Sequence, residues 1–125
     1  MATLNEVRLI GNLGGDPKVR DANGTAVCTI QIATNRFRKT PEGDREQITD
    51  WHRVVLWGRK ADYAGQYLHK GDTVFVGGFL RTRKWQKSGE DHYTTEIVAE
   101  DFQSVTPRGA RGAADAATQE PEQVA

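Results

Sequence analysis

All three tryptophans of this chain, Trp51, Trp57 and Trp85, stand in β-rich stretches that also carry arginine. The segment 79–89 reads Phe-Leu-Arg-Thr-Arg-Lys-Trp-Gln-Lys-Ser-Gly, with four positive charges and no acid. Written as a strand, it puts Phe79, Arg81, Arg83 and Trp85 on one face, a basic row ending in an indole. The segment 47–57 repeats the mixture: Trp51, Arg53, Val55 and Trp57 alternate with His52, Val54 and Leu56. A third instance is Arg36-Phe37-Arg38-Lys39. An indole can cover a nucleobase with a π face indifferent to base identity, while a guanidinium neutralises the adjacent phosphate. Duplex DNA hides its base faces in the stack, so this chemistry suits single strands.

Other readings stand beside this one. Any single tryptophan is often partly buried core, and arginines flanked by Asp44, Glu46 and Asp50 can form an ordinary solvated face. Strand parity argues against a pure core role, since Trp51 and Trp57 share a side with Arg53, opposite Val54 and Leu56. Catalysis has less support. His52, His69 and His92 show no metal-ligand spacing, and no carboxylate pair sits in a general acid/base or two-metal arrangement. His52, on the apolar side of its strand, reads as a hydrogen-bonded interior or subunit-contact residue. Gly11-Asn12-Leu13-Gly14-Gly15 lacks the lysine and Ser/Thr of a phosphate loop and reads as a turn. No cofactor or metal is expected.

The elements that must hold these residues are mostly strands. Leu4 to Leu13 is a first strand, stopped by Gly14-Gly15-Asp16-Pro17. Lys18 to Asp21 reads as a short strand before Asn23-Gly24, a pair suited to a type I′ hairpin turn. Ala26 to Phe37 and Gln47 to Trp57 follow, separated by the polar loop 39–44. Lys60 to Leu68 is the one helix, with Ala61, Ala64 and Leu68 on one face, positive charge at His69-Lys70, and Gly71 as its cap. Asp72 to Trp85, interrupted by Gly77-Gly78, turns at Ser88-Gly89 and runs back as His92 to Ala99. Three strands, one helix and two strands describe an all-β, five-stranded small barrel with a short helix between the third and fourth main strands, not a doubly wound sheet.

The chain has 125 residues, enough for one domain. Seventeen Lys plus Arg balance seventeen Asp plus Glu, so a nucleic-acid reading rests on where the charges sit rather than on their sum. The lone Cys28 lies in an apolar run, excludes an internal disulfide or a zinc knuckle, and reads as an inert core thiol. The N-terminus shows no basic segment followed by an apolar one, and no run approaches the ~20 apolar residues of a membrane span, so a soluble cytosolic protein is expected. Residues 1–106 form the expected domain. Residues 107–125, with Arg108-Gly109-Ala110-Arg111-Gly112 and an Ala/Gln/Glu stretch, read as a short disordered tail.

Four blocks extend the reading. They are 7–17 (VRLIGNLGGDP), 49–58 (TDWHRVVLWG), 67–72 (YLHKGD), and 80–85 (LRTRKW) followed by 93–96 (YTTE). In this order they resemble the bacterial single-stranded DNA-binding proteins over nearly the whole body of the chain. The resemblance implies an OB-fold that binds and protects single-stranded DNA with little base preference during replication, recombination and repair. It also implies a homotetramer, a dimer of dimers, in the bacterial cytoplasm at the nucleoid. The family's stacking rings correspond to Phe37, Trp51, Trp57 and Trp85, with Phe37 where Trp is frequent and Trp57 where Phe is frequent. Its backbone-contacting cations correspond to Arg53, Arg59, Arg81, Arg83 and Lys84, with Lys70 a weaker candidate. Subunit contacts are implied at His52 and along the first strand at Val7, Leu9, Gly11 and Leu13. Family members end in an acidic tip with a hydrophobic end that recruits replication and repair proteins. Here the last residues are Glu120-Pro121-Glu122-Gln123-Val124-Ala125, so recruitment through such a tip is not expected.

Overall fold

In a computed structural model the described residues are 1–106, and the tail expected over 107–125 lies outside them. Alternation of apolar and polar residues builds six strands: β1 (Val7–Leu13), β2 (Val19–Ala22), β3 (Thr25–Lys39), β4 (Arg45–Trp57), β5 (Thr73–Lys87) and β6 (Glu90–Ser104). One helix, α1 (Arg59–Tyr67), joins β4 to β5. Hydrogen bonding runs β1-β5-β6-β4-β3-β2, and β1 also pairs β3 through Asn12↔Ala33 and Leu13↔Ile32. That second pairing closes the sheet on itself. The barrel strands are β1, β3, β4, β5 and β6, with β2 a hairpin extension of β3, so the five-stranded OB-fold with a helix between its third and fourth barrel strands is the observed architecture.

The core contains Leu13, Ile30, Ile32, Val54, Leu56, Val74, Val76 and Ile97, while Ala61, Ala64 and Leu68 bring the helix against it. Each large aliphatic side chain buried in this way contributes about 1.5–3 kcal/mol relative to exposure. Cys28 belongs to the same cluster, and burial pushes its thiol up from 9.0, as an inert core thiol requires.

Two glycines are fixed by close approach. A Cβ at Gly78 would stand 1.9 Å from the Val98 carbonyl oxygen, at the register shift between Gly77 and Gly78 where β5 bends. A Cβ at Gly11 would stand 2.3 Å from the Ala33 oxygen, where β1 crosses β3. Asn23 and Gly24 have φ of 55° and 87°, and Ser88 and Gly89 have 54° and 83°, the left-handed pairs of tight hairpins.

Several boundaries move. β1 begins at Val7 rather than Leu4, β3 and β4 extend to Lys39 and back to Arg45, and β6 continues to Ser104. The polar residues at these hairpin ends satisfy their backbone groups across the ladder, and an apolar pattern cannot register that. The helix also ends differently. Its cap is Leu68, in extended conformation, and no basic residue lies in the last turn. Gly71, at φ 92°, instead shapes the following turn: its N–H donates to the Leu13 oxygen at 2.9 Å, and Asp72 accepts the His69 N–H at 2.9 Å. Among the described residues no helix is long and apolar enough to cross a membrane.

Candidate nucleic-acid interface

Register assigns the four predicted rings and Arg53, Arg81 and Arg83 to one outer face. In β3 and β4 the odd-numbered residues pair as Gln31↔Arg53, Ala33↔Trp51 and Phe37↔Gln47, while even-numbered Ile32, Val54 and Leu56 turn inward. In β5 and β6 the same face carries the pairs Arg81↔Glu96, Arg83↔Thr94 and Trp85↔His92. Val55, also on this side, is buried all the same; its sheet neighbours are Thr29 and Val98.

The four rings remain open to solvent: Trp51 is 58% exposed, Phe37 and Trp57 38% each, and Trp85 37%. Each is held differently. Trp51 rests its ring edge over Gly14, where a Cβ would come within 2.4 Å of its Cζ3. Beside it lies an open cleft of about 350 Å³ bounded by Gly14, Gly15, Asp16, Thr29, Ile30 and Gln31. Trp85 stacks one face on the His92 ring, with centroids 4.7 Å apart, and its indole N–H donates to Thr94 Oγ1 at 2.8 Å. Phe37 carries the Arg45 guanidinium 4.1 Å from its centroid, a cation–π contact. Trp57 closes β4 opposite Val27.

Three of the predicted cations meet on one acid. The Glu96 side chain is only 2% exposed, and it receives Arg53 Nε and Arg83 Nε at 3.4 Å each on Oε1, with Arg81 Nη2 on Oε2. Burial opposes ionisation of this carboxyl, but hydrogen bonds from Arg81 and Arg83, with their charges, hold it below its ordinary 4.5. The arginine side chains themselves are 40–44% exposed.

Other predicted cations are placed elsewhere. Lys84 occupies the opposite side of β5, its Nζ 3.3 Å from Asp91. Arg59 is exposed at the start of α1, and Lys70 is exposed on the turn after it, where its backbone N–H donates to Asp16 Oδ1 at 2.8 Å. That bond ties the Lys70 turn to the rim of the Trp51 cleft. The basic cluster 36–39 divides: Arg36 pairs with Asp50 and Arg38 with Glu46, both away from the Phe37 side. The Asp50 carboxyl is held below its ordinary range, chiefly by the Arg36 hydrogen bond.

The predicted subunit-contact residues face inward within the single chain. Leu13 is core, Val7 and Leu9 pack against it, and Gly11 is buried. His52 is half-buried and hydrogen-bonded through Nε2 to Thr34 Oγ1 at 2.8 Å. What β1 offers outward is its free edge from Val7 to Gly11, together with Ile10, 57% exposed.

Sequence reasoning misses Glu96 and Arg45. Along the chain Glu96 is one acid beside an apolar stretch, and only the β5–β6–β4 order reveals that three arginines surround it. Arg45 borders the polar loop, although extending the β3–β4 register by one pair beyond Phe37↔Gln47 on the same side would bring it to the ring.

The model of the Single-strand binding protein family matches residues 4–105. The chain belongs to that family. Among solved structures, it is similar to one described as the Plasmodium falciparum SSB complex with ssDNA. The two share 34% identity and a TM-score of 0.76 over 84% of this chain and 97% of that one. It is also similar to a deletion mutant of the single-stranded DNA binding protein from Thermus aquaticus, at 34% identity and a TM-score of 0.74, over 85% of this chain and 52% of that one. Among the described residues no group of three or more His, Cys, Asp or Glu could hold a metal ion.

Proposed function

We propose that this family member binds and protects single-stranded DNA, without base preference and without a chemical step, during replication, recombination and repair. The observation that carries the reading is the single outer face on which Phe37, Trp51, Trp57 and Trp85 stay open while Arg53, Arg81 and Arg83 stand between them. Bases stack on the rings, at about 1–3 kcal/mol each, and the guanidiniums follow the phosphates. Arg59 and Lys70 extend the cationic path at its α1 end. Lys84 serves a strand passing around the β5–β6 hairpin rather than across the main face.

The same reading includes assembly. An unpaired strand edge carrying an exposed isoleucine is covered when two copies join their β1 strands, and two such pairs make a tetramer. Val7, Leu9, Gly11 and Leu13 then act by fixing the strand whose backbone pairs, and His52 by ordering the sheet beneath the contact. DNA wrapping over several subunits multiplies the affinity of one domain. Its place of work on this reading is the bacterial cytoplasm, at the nucleoid.

Competition distinguishes this from other nucleic-acid partners. A labelled oligothymidine bound by the full chain is displaced by unlabelled single-stranded DNA of any composition and poorly by duplex of the same length. Equal or better displacement by single-stranded RNA would instead assign an RNA-binding role.

A further inference from the structure

A buried carboxylate in the middle of a phosphate-binding face calls for an explanation, because its charge opposes the ligand's. Glu96 is the most enclosed charged side chain of that face, and its β6 strand lies between β4 and β5. Arg53 reaches it from one side, Arg81 and Arg83 from the other. Three guanidiniums on one carboxylate leave a net charge of plus two. Each guanidinium has five N–H donors and gives one to Glu96, so donors remain on each for a ligand. Without a shared anchor, three neighbouring cations on long side chains would repel one another and sample many rotamers.

We propose that Glu96 is a positioning residue of the DNA-binding face: it touches no DNA, but fixes where Arg53, Arg81 and Arg83 present their outward donors. The proposal rests on the single-stranded DNA reading above. It has a sign that simple electrostatics lacks. Glu96→Gln keeps the shape and one acceptor oxygen while making the patch more positive, so charge alone would tighten binding and steepen its salt dependence. Positioning requires the reverse.

The test uses the full chain and a fluorescein-labelled oligothymidine, titrated over a salt series at a temperature where circular dichroism shows every variant folded. Glu96→Gln is expected to bind about tenfold more weakly, as the misalignment of one or two charge-assisted hydrogen bonds implies. Its salt slope should be shallower by about 0.7 for each phosphate no longer neutralised. Glu96→Asp, which keeps the charge one methylene further back, should recover part of the affinity. Binding by Glu96→Gln as tight as the parent's or tighter overturns the proposal.

A measurement on the unmodified chain decides the matter even if the variants fail to fold. In the free protein at neutral pH, nitrogen-detected spectra should show slowly exchanging Nε–H signals of Arg53 and Arg83, the two that donate to Glu96 through Nε. Signals as broadened as those of a freely exposed arginine would overturn the proposal as well. A parent chain that does not bind oligothymidine at all sinks the functional reading instead, so the two failures are distinguishable.

Discussion

Trp51 and Trp85 are surface residues seated one on a glycine and the other on a histidine ring, as the ligand platform proposed for them requires. Trp51→Ala or Trp85→Ala should therefore weaken oligothymidine binding by about 1–3 kcal/mol while leaving thermal unfolding nearly unchanged. A cooperative melt far below the parent's would show that the ring was holding the fold. Glu96 makes a different prediction. Its pKa is lowered in the folded state, so its contribution to stability is fully present above the ordinary 4.5 and is lost as pH falls through the folded value. Acid should lower the melting temperature of the parent more steeply than that of Glu96→Gln. Parallel curves in melts followed across this range would contradict the assignment. The tryptophans are legible in the sequence because parity alone sets their side of a strand. Glu96 is not, because its meaning depends on two other strands that only the sheet order brings beside it.

At the scale of elements, turns and bends are the most readable parts. Asn23, Gly24 and Gly89 take the left-handed conformations that their residue types favour, Ser88 takes one because the two-residue hairpin requires it, and Gly77-Gly78 sits at the bend of β5. Gly78→Ala should cost about 3 kcal/mol or more, because the new methyl meets backbone oxygen rather than a movable side chain. Denaturant unfolding checks this, and a variant as stable as the parent would mean that β5 bends elsewhere. The end of α1 is less readable. Positive charge before a glycine is the usual sign of a helix terminus, yet here Gly71 answers to β1, through the bond from its N–H to the Leu13 oxygen. Local chemistry identifies a turn correctly but not which element the turn serves. Strand ends are misplaced for a related reason: Lys39↔Arg45 and Lys87↔Glu90 pair as backbone, whatever their side chains prefer.

For the molecule as a whole, composition is silent and distribution is informative. A chain with no net charge still gathers Arg53, Arg81 and Arg83 around one acid on the outer face, while Arg36 and Arg38 are neutralised by acids on the opposite face of the β3–β4 hairpin. The free β1 edge adds a prediction about assembly: sedimentation should give a particle of four times the 13.9 kDa of one chain, and a stable monomer would contradict the pairing proposed for that edge. The binding face itself is tested most directly by intrinsic fluorescence. Oligothymidines of increasing length, titrated at two salt concentrations, should quench the indoles to a plateau whose length reports the DNA wrapped. Affinity should fall as salt rises, by about 0.7 logarithmic units per logarithmic unit of salt for each phosphate engaged. Indole emission unchanged by saturating oligothymidine in dilute salt would mean that no base stacks on this face, and would contradict the binding platform outright.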